Sequence, residues 1–205
     1  MKFMTVIASG KSGVFDIDEA FRQERLADLR GARVLAAAAA VSDIENFLQA
    51  VDFLDNFTID GWRLGMRRVA RLTGPLSDDF REAFLSLWVQ RKTLPRKVGE
   101  RAVMAKALRV LLPRTYSGSA LRLYRGTTAT ERKRRLYGFS WTTDIAIAES
   151  FARTWHDAGL SAVVLETVAP ADAIFVLRQD VEFYDEREAV VDPFRLTAVW
   201  VAARL

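Results

Sequence analysis

Three small sets of residues have the types and spacing to do chemistry. The first is Glu186 and Glu188, which close the run Phe183-Tyr184-Asp185-Glu186-Arg187-Glu188-Ala189-Val190-Val191-Asp192-Pro193. That run reads as an aromatic loop entering a strand. On a strand, residues two apart face the same side, so both carboxylates would share one space. Two carboxylates side by side repel, and packing alone gives no reason to pair them. Either the strand is an exposed edge with a solvated charge run, or the pair serves a site. The second set is Arg125 with Gly126. Leu121, Leu123 and Arg125 share one face of a strand. If the leucines face the core, so does a guanidinium that keeps its charge and requires an anion. That anion is an internal glutamate or a phosphate, and Gly126 would permit close backbone approach. Ser140 and Thr142 make the third set. Their hydroxyls face one way just before a helix that Thr143 or Asp144 could cap alone, which leaves two hydroxyls for a polar site.

The elements that carry these residues differ between the two halves of the chain. Asp16 with Glu19 caps a helix over about 17–30. Val34, Ala37, Val41, Ile44, Leu48 and Val51 recur as one apolar face of a long helix, and the alanines of 36–40 favour helix. A third helix covers 60–72, broken by Thr73-Gly74-Pro75. Ser77 caps a fourth, with Phe80, Phe84, Leu87 and Trp88 on one face; Leu94-Pro95 ends it, and a fifth over 97–112 stops at Pro113. The aromatic residues of this half sit at helical spacing and read as core. From 113 the pattern changes: strands at 121–126, 139–143, 162–166, 173–177, at Glu186 and at 196–202, with one amphipathic helix over 144–156 holding Ala148, Phe151, Ala152 and Trp155 inward. The order is α+β. It divides into a helical lobe, 1–112, and a β-rich core, 113–205, either separate or integrated as one domain.

Composition narrows the chemistry. The 205 residues include no cysteine, which excludes disulfides, thiolate metal sites and a cysteine nucleophile, and no metal site is read from the sequence. The formal net charge of +4 suits anionic ligands but is too small to argue nucleic-acid binding. Met1–Gly10 is too short in apolar residues for a signal peptide, and no segment is long enough to span a membrane. Gly10-Lys11-Ser12 is similar to the end of a phosphate-binding loop, but Thr5 stands where that pattern asks for glycine. His156, the lone histidine, reads as a helix-end residue. The cluster Glu131-Arg132-Lys133-Arg134-Arg135 reads first as a solvated basic loop.

Taken in order, Arg, then Ser-x-Thr before a helix, then Glu-x-Glu opening a strand, the chain resembles the arginine-serine-glutamate class of ADP-ribosyltransferases, which includes bacterial toxins and phage-encoded enzymes. The resemblance rests on Leu123-Tyr124-Arg125-Gly126, Phe139-Ser140-Trp141-Thr142-Thr143 and Glu186–Pro193, and covers roughly residues 119–205. It implies a mixed, split β-sheet core and a mono-ADP-ribosyltransferase that uses NAD as co-substrate, releases nicotinamide and modifies a protein acceptor, arginine first. It also implies that Glu188 is the catalytic glutamate and that Glu186 orients or deprotonates the acceptor. Arg125, with Gly126 beside it, would hold an NAD phosphate and ribose. Ser140 would brace the site and the glutamate, with Thr142 second in that motif, and Phe183 and Tyr184 would contact the acceptor. The implied setting is the cytoplasm of a bacterial host cell, with a host protein as target, a nucleic-acid acceptor ranking behind it and no membrane partner. The alternatives are an NAD glycohydrolase, with water as acceptor, and a non-catalytic partner-binding inhibitor on the same scaffold. Two departures from the class stand out: only fourteen residues separate Arg125 from Ser140, and the loop at 154–161 is short.

Overall fold

Asp16 accepts a hydrogen bond from the Glu19 amide and starts α1, Ile17–Ala40. In this computed structural model, residues 16–178 and 187–205 are described. Ser42, with φ of 56°, turns the chain, and Asp43 caps α2, Ile44–Phe57, through the Asn46 amide. The expected long helix from Val34 to Val51 is therefore two helices. Its expected apolar face is displaced in α1 and kept in part in α2, where Val51 is buried and Ile44 packs against the core. Val34, Ala37, Val41 and Leu48 are exposed, whereas Leu35, Ala36, Ala39, Phe47, Ala50 and Leu54 are buried. The alanine run is apolar on every side, so periodicity alone does not fix which stripe turns inward.

Next come α3, Gly61–Val69, and α4, Asp78–Gln90, the latter capped by Ser77 as expected, with Phe80, Phe84, Leu87 and Trp88 all buried. The expected fifth helix is split into α5, Leu94–Val98, and α6, Arg101–Leu111. Gly99, in the left-handed region at φ 73°, makes the break.

The second half supplies β1 (Leu121–Thr128), a short α7 (Ala129–Lys133), β2 (Ser140–Thr142), α8 (Ile145–Asp157), β3 (Ala162–Ala169), β4 (Ile174–Leu177), β5 (Glu188–Val191) and β6 (Val199–Arg204). Among the described residues the strands form one continuous sheet, ordered β4-β5-β2-β1-β3-β6, and every pairing is antiparallel. The fold is α+β with its helices mostly N-terminal. A mixed, split sheet is not what these residues form. The nearest thing to a split is the β1–β2 junction. β1 pairs along its whole length with β3 but meets β2 only at Tyr124 and Thr142.

The two halves share a core. One apolar cluster joins Leu108, Leu111, Leu112 and Trp88 of the helices to Phe139, Phe175, Val176 and Val190 of the sheet. Arg109 of α6 also pairs with Asp192, which is fully buried just after β5. On another part of the sheet, α8 lays Ala148 and Ala152 against Ala162 and Val164. Gly126 makes that seat possible. A methyl group there would overlap the Ala148 carbonyl and lie 2.5 Å from the Ala152 nitrogen. At so close an approach the helix can turn only alanines inward. Phe151 and Trp155, expected in the core, are 45% and 42% exposed.

Candidate functional site

A cavity of about 650 Å³ opens where β1 and β2 part, closed on one side by the α4–α5 connection and on another by α8. Its wall includes Arg125, Gly126, Ser140, Thr142 and Glu188, the five expected site residues that fall among those described. Glu186, Phe183 and Tyr184 lie outside the described residues. Residues far apart in sequence meet here because β2 is central: Thr142 pairs with Tyr124 on one side and with Glu188 on the other.

Arg125 comes from β1, on the face it shares with the fully buried Leu123, as strand alternation required. Register pairs it with Leu165 of β3, one position on from the Tyr124–Thr142 pair, and its head group reaches β2 where the ladder narrows. Nη1 donates to the Ser140 carbonyl at 2.6 Å. Nε is buried with no hydrogen-bond partner among the described residues. Burial pushes this guanidinium below the usual arginine range. Glu131 opposes that shift, Arg101 adds to it, and Glu188 opposes it more weakly. A buried cation with a donor to spare, in a cavity lined by more cations than carboxylates, has the chemistry to meet an anion. Gly138 makes its space: a methyl group there would lie 2.5 Å from Nη2 and 2.6 Å from Cζ. Nothing in the sequence pattern marked Gly138 for this, because Gly138 lies in the loop before β2 and the contact is made by a side chain from β1.

Glu188 opens β5 and is 3% exposed. The expectation that Ser140 braces it is not met by the hydrogen bonds present. The Ser140 hydroxyl has no partner among the described residues, and its carbonyl serves Arg125. Trp88 of α4 takes the bracing place, donating its indole N–H to Glu188 Oε1 at 3.4 Å. Arg178 forms an ion pair with Oε2 at 3.5 Å, and Oε2 has no hydrogen bond among the described residues. Trp88 was legible as a core residue from its helical spacing, and it is one, packed edge-on to Phe139. That its polar edge meets a carboxylate one hundred positions later is a tertiary fact.

Thr142 has a structural duty, since its Oγ1 accepts from the Asp144 amide. Asp144 in turn caps α8 through the Ala146 amide and pairs with Arg187. Arg187 sits in the left-handed region, φ 43°, so β5 starts at Glu188 and does not include Arg187. Of the cluster 131–135, Glu131 lines the cavity, whereas Arg132, Lys133, Arg134 and Arg135 face solvent. His156 lies in the last turn of α8, exposed, as expected.

The cavity is charged and aromatic together. Arg91, Lys92, Arg96, Arg101 and Arg125 line it, together with Phe151 and Trp155 of α8. A volume of this size is that of a small-molecule site, on the order of 300–1,000 Å³. No group of acidic or histidine side chains among the described residues could hold a metal ion, and no helix there is long and apolar enough to cross a membrane. Compared with family models, curated proteins and solved structures, the chain finds no match in any of the three.

Proposed function

We propose that the protein is a mono-ADP-ribosyltransferase that binds NAD in this cavity and transfers its ADP-ribose to a protein side chain, arginine first. The observation that carries the reading is the meeting of Arg125, Ser140 and a buried Glu188 on one concave, basic wall. These residues suit the ligand: a deep guanidinium with unused donors matches a diphosphate, and a shielded carboxylate matches a sugar that develops positive charge.

NAD supplies a ribose–nicotinamide bond that breaks with its electron pair leaving on a ring that thereby becomes neutral, so no general acid is required. The work of the chain is positioning and electrostatics. Arg125 holds the diphosphate and fixes where the sugar lies. Glu188 places a negative charge beside that sugar from a site where water does not weaken it. Trp88 and Arg178 hold its carboxylate in one orientation. The acceptor nitrogen forms the new bond to the sugar carbon and gives up a proton, the task the resemblance gives to Glu186.

The test uses NAD labelled in its adenylate half, incubated with the protein and a bacterial lysate. Label on a macromolecule with the wild type and none with Glu188→Gln is the expected result. Label released only as free ADP-ribose makes the protein a glycohydrolase. Unconsumed NAD at all times overturns both readings and leaves a binding protein.

A further inference from the structure

We propose that Phe151 and Trp155 form the seat for the purine ring of a nucleoside diphosphate whose phosphates lie on Arg125. This rests on the reading above only in naming that nucleotide as the ADP half of NAD; the binding site stands on its own observations. The first is placement. Phe151 and Trp155 are four residues apart on α8, so their side chains occupy one face, and both line the cavity. The second is exposure. They are large aromatics left nearly half open, on the helix whose Ala148 and Ala152 are fully buried. Paired exposed aromatics in a concave wall mark a ligand surface more than a solvated one. The third is what else lines the cavity. Arg125 has a buried, unpartnered Nε, and so does Arg101, which meets the Tyr137 carbonyl through Nη2. Arg96 adds an exposed cation at the rim.

A flat ring beside a dianion is what this wall complements. Stacking on an aromatic face needs no ring-specific hydrogen bond, and Arg125 supplies the charge-assisted bonds for the phosphates. The Gly126 contact explains how the shelf arises: it draws the α8 backbone onto β1 and leaves no room inside for the two rings. Trp200 is the internal control, being 51% exposed on β6 and outside the cavity wall.

The experiment titrates ADP and inorganic pyrophosphate into the full-length wild type, Trp155→Ala, Phe151→Ala and Trp200→Ala, with heat as the readout. Trp155→Ala should weaken ADP by roughly ten-fold or more, the scale of one lost stacking partner, with Phe151→Ala in the same direction. Pyrophosphate affinity should stay within about two-fold, and Trp200→Ala should match the wild type for both ligands. Circular dichroism of each variant confirms that the fold is kept; if Trp155→Ala does not fold, Trp155→Gln takes its place. An ADP affinity indifferent to Trp155 and Phe151, or no ADP binding by the wild type, overturns the proposal. The two readings fail separately. ADP bound on this shelf by a protein that never consumes NAD sinks the transferase and leaves the shelf. Transfer activity with the shelf variants unaffected does the reverse.

Discussion

At the scale of single residues, the site depends on a few long-range contacts with different duties. Trp88 is a positioning residue: its indole N–H reaches Glu188 Oε1, while its ring packs on Phe139. Trp88→Phe keeps most of that packing and removes the donor. It should lower kcat for NAD consumption by about ten-fold, the worth of one hydrogen bond to a charged group, with little change in KM. A change in KM alone would place Trp88 in binding instead. Gly138 acts through space. The Cβ of Gly138→Ala would collide with the end of a flexible side chain, so Arg125 can move aside and the fold survive. The expected cost falls on anion affinity, measured by pyrophosphate titration, and not on the unfolding midpoint. The inward face of Arg125 and the shared face of Ser140 and Thr142 were legible in the sequence because strand alternation is local. Trp88, Gly138 and Arg178 were not, because each acts on a residue of another element.

Among the elements, α8 lies close against the sheet, and Gly126 is its seat. Gly126→Ala sets a methyl group against helix backbone, which cannot swing away as a side chain can. It should destabilise the protein by about 1–3 kcal/mol, the usual cost of overpacking, seen as a lower denaturant midpoint at unchanged slope. Stability equal to wild type would mean that α8 is not seated as described. Asp55 of α2 does comparable work in the helices, binding the Trp62 indole, Arg91 and Lys97. Burial raises its pKa, but the Lys97 and Trp62 hydrogen bonds and the two cations outweigh this and hold it below the ordinary 3.8. A depressed carboxylate stabilises the fold fully above its unfolded pKa and loses that contribution as pH falls through the folded one. Asp55→Asn should therefore be less stable than wild type near neutrality, the gap closing below about pH 4 in a series of melts. Element types were largely legible: the caps at Asp16 and Ser77 and the Pro113 stop stand where the residues put them, and the strand runs are found too, the last two shifted to Glu188–Val191 and Val199–Arg204. The inward stripe of α1 was not, since its alanines fit any face. The outward turn of Phe151 and Trp155 was not either, since it is set by a glycine on β1.

For the whole molecule, the division at 112 is one of pattern rather than of packing, because helices and sheet bury Leu108, Leu112, Phe139 and Val190 in one cluster. The cavity draws its wall from both halves, so a ligand there ties them together. At one hundred times its dissociation constant, ADP should add about 2.7 kcal/mol of stability, a rise in Tm of roughly 5–10 °C for a chain of this size. Arg125→Lys should lose most of that rise, because an ammonium cannot reproduce the planar fork. The central claim is that a buried carboxylate on this shared wall drives cleavage of NAD. Its most direct test is the rate of nicotinamide release by wild type and Glu188→Gln, each shown folded by its melting curve. A fall in rate of about 10²–10³-fold is predicted for the variant, the usual effect of removing one preorganised electrostatic partner. Equal rates for the two proteins, or no release by the wild type, would contradict it.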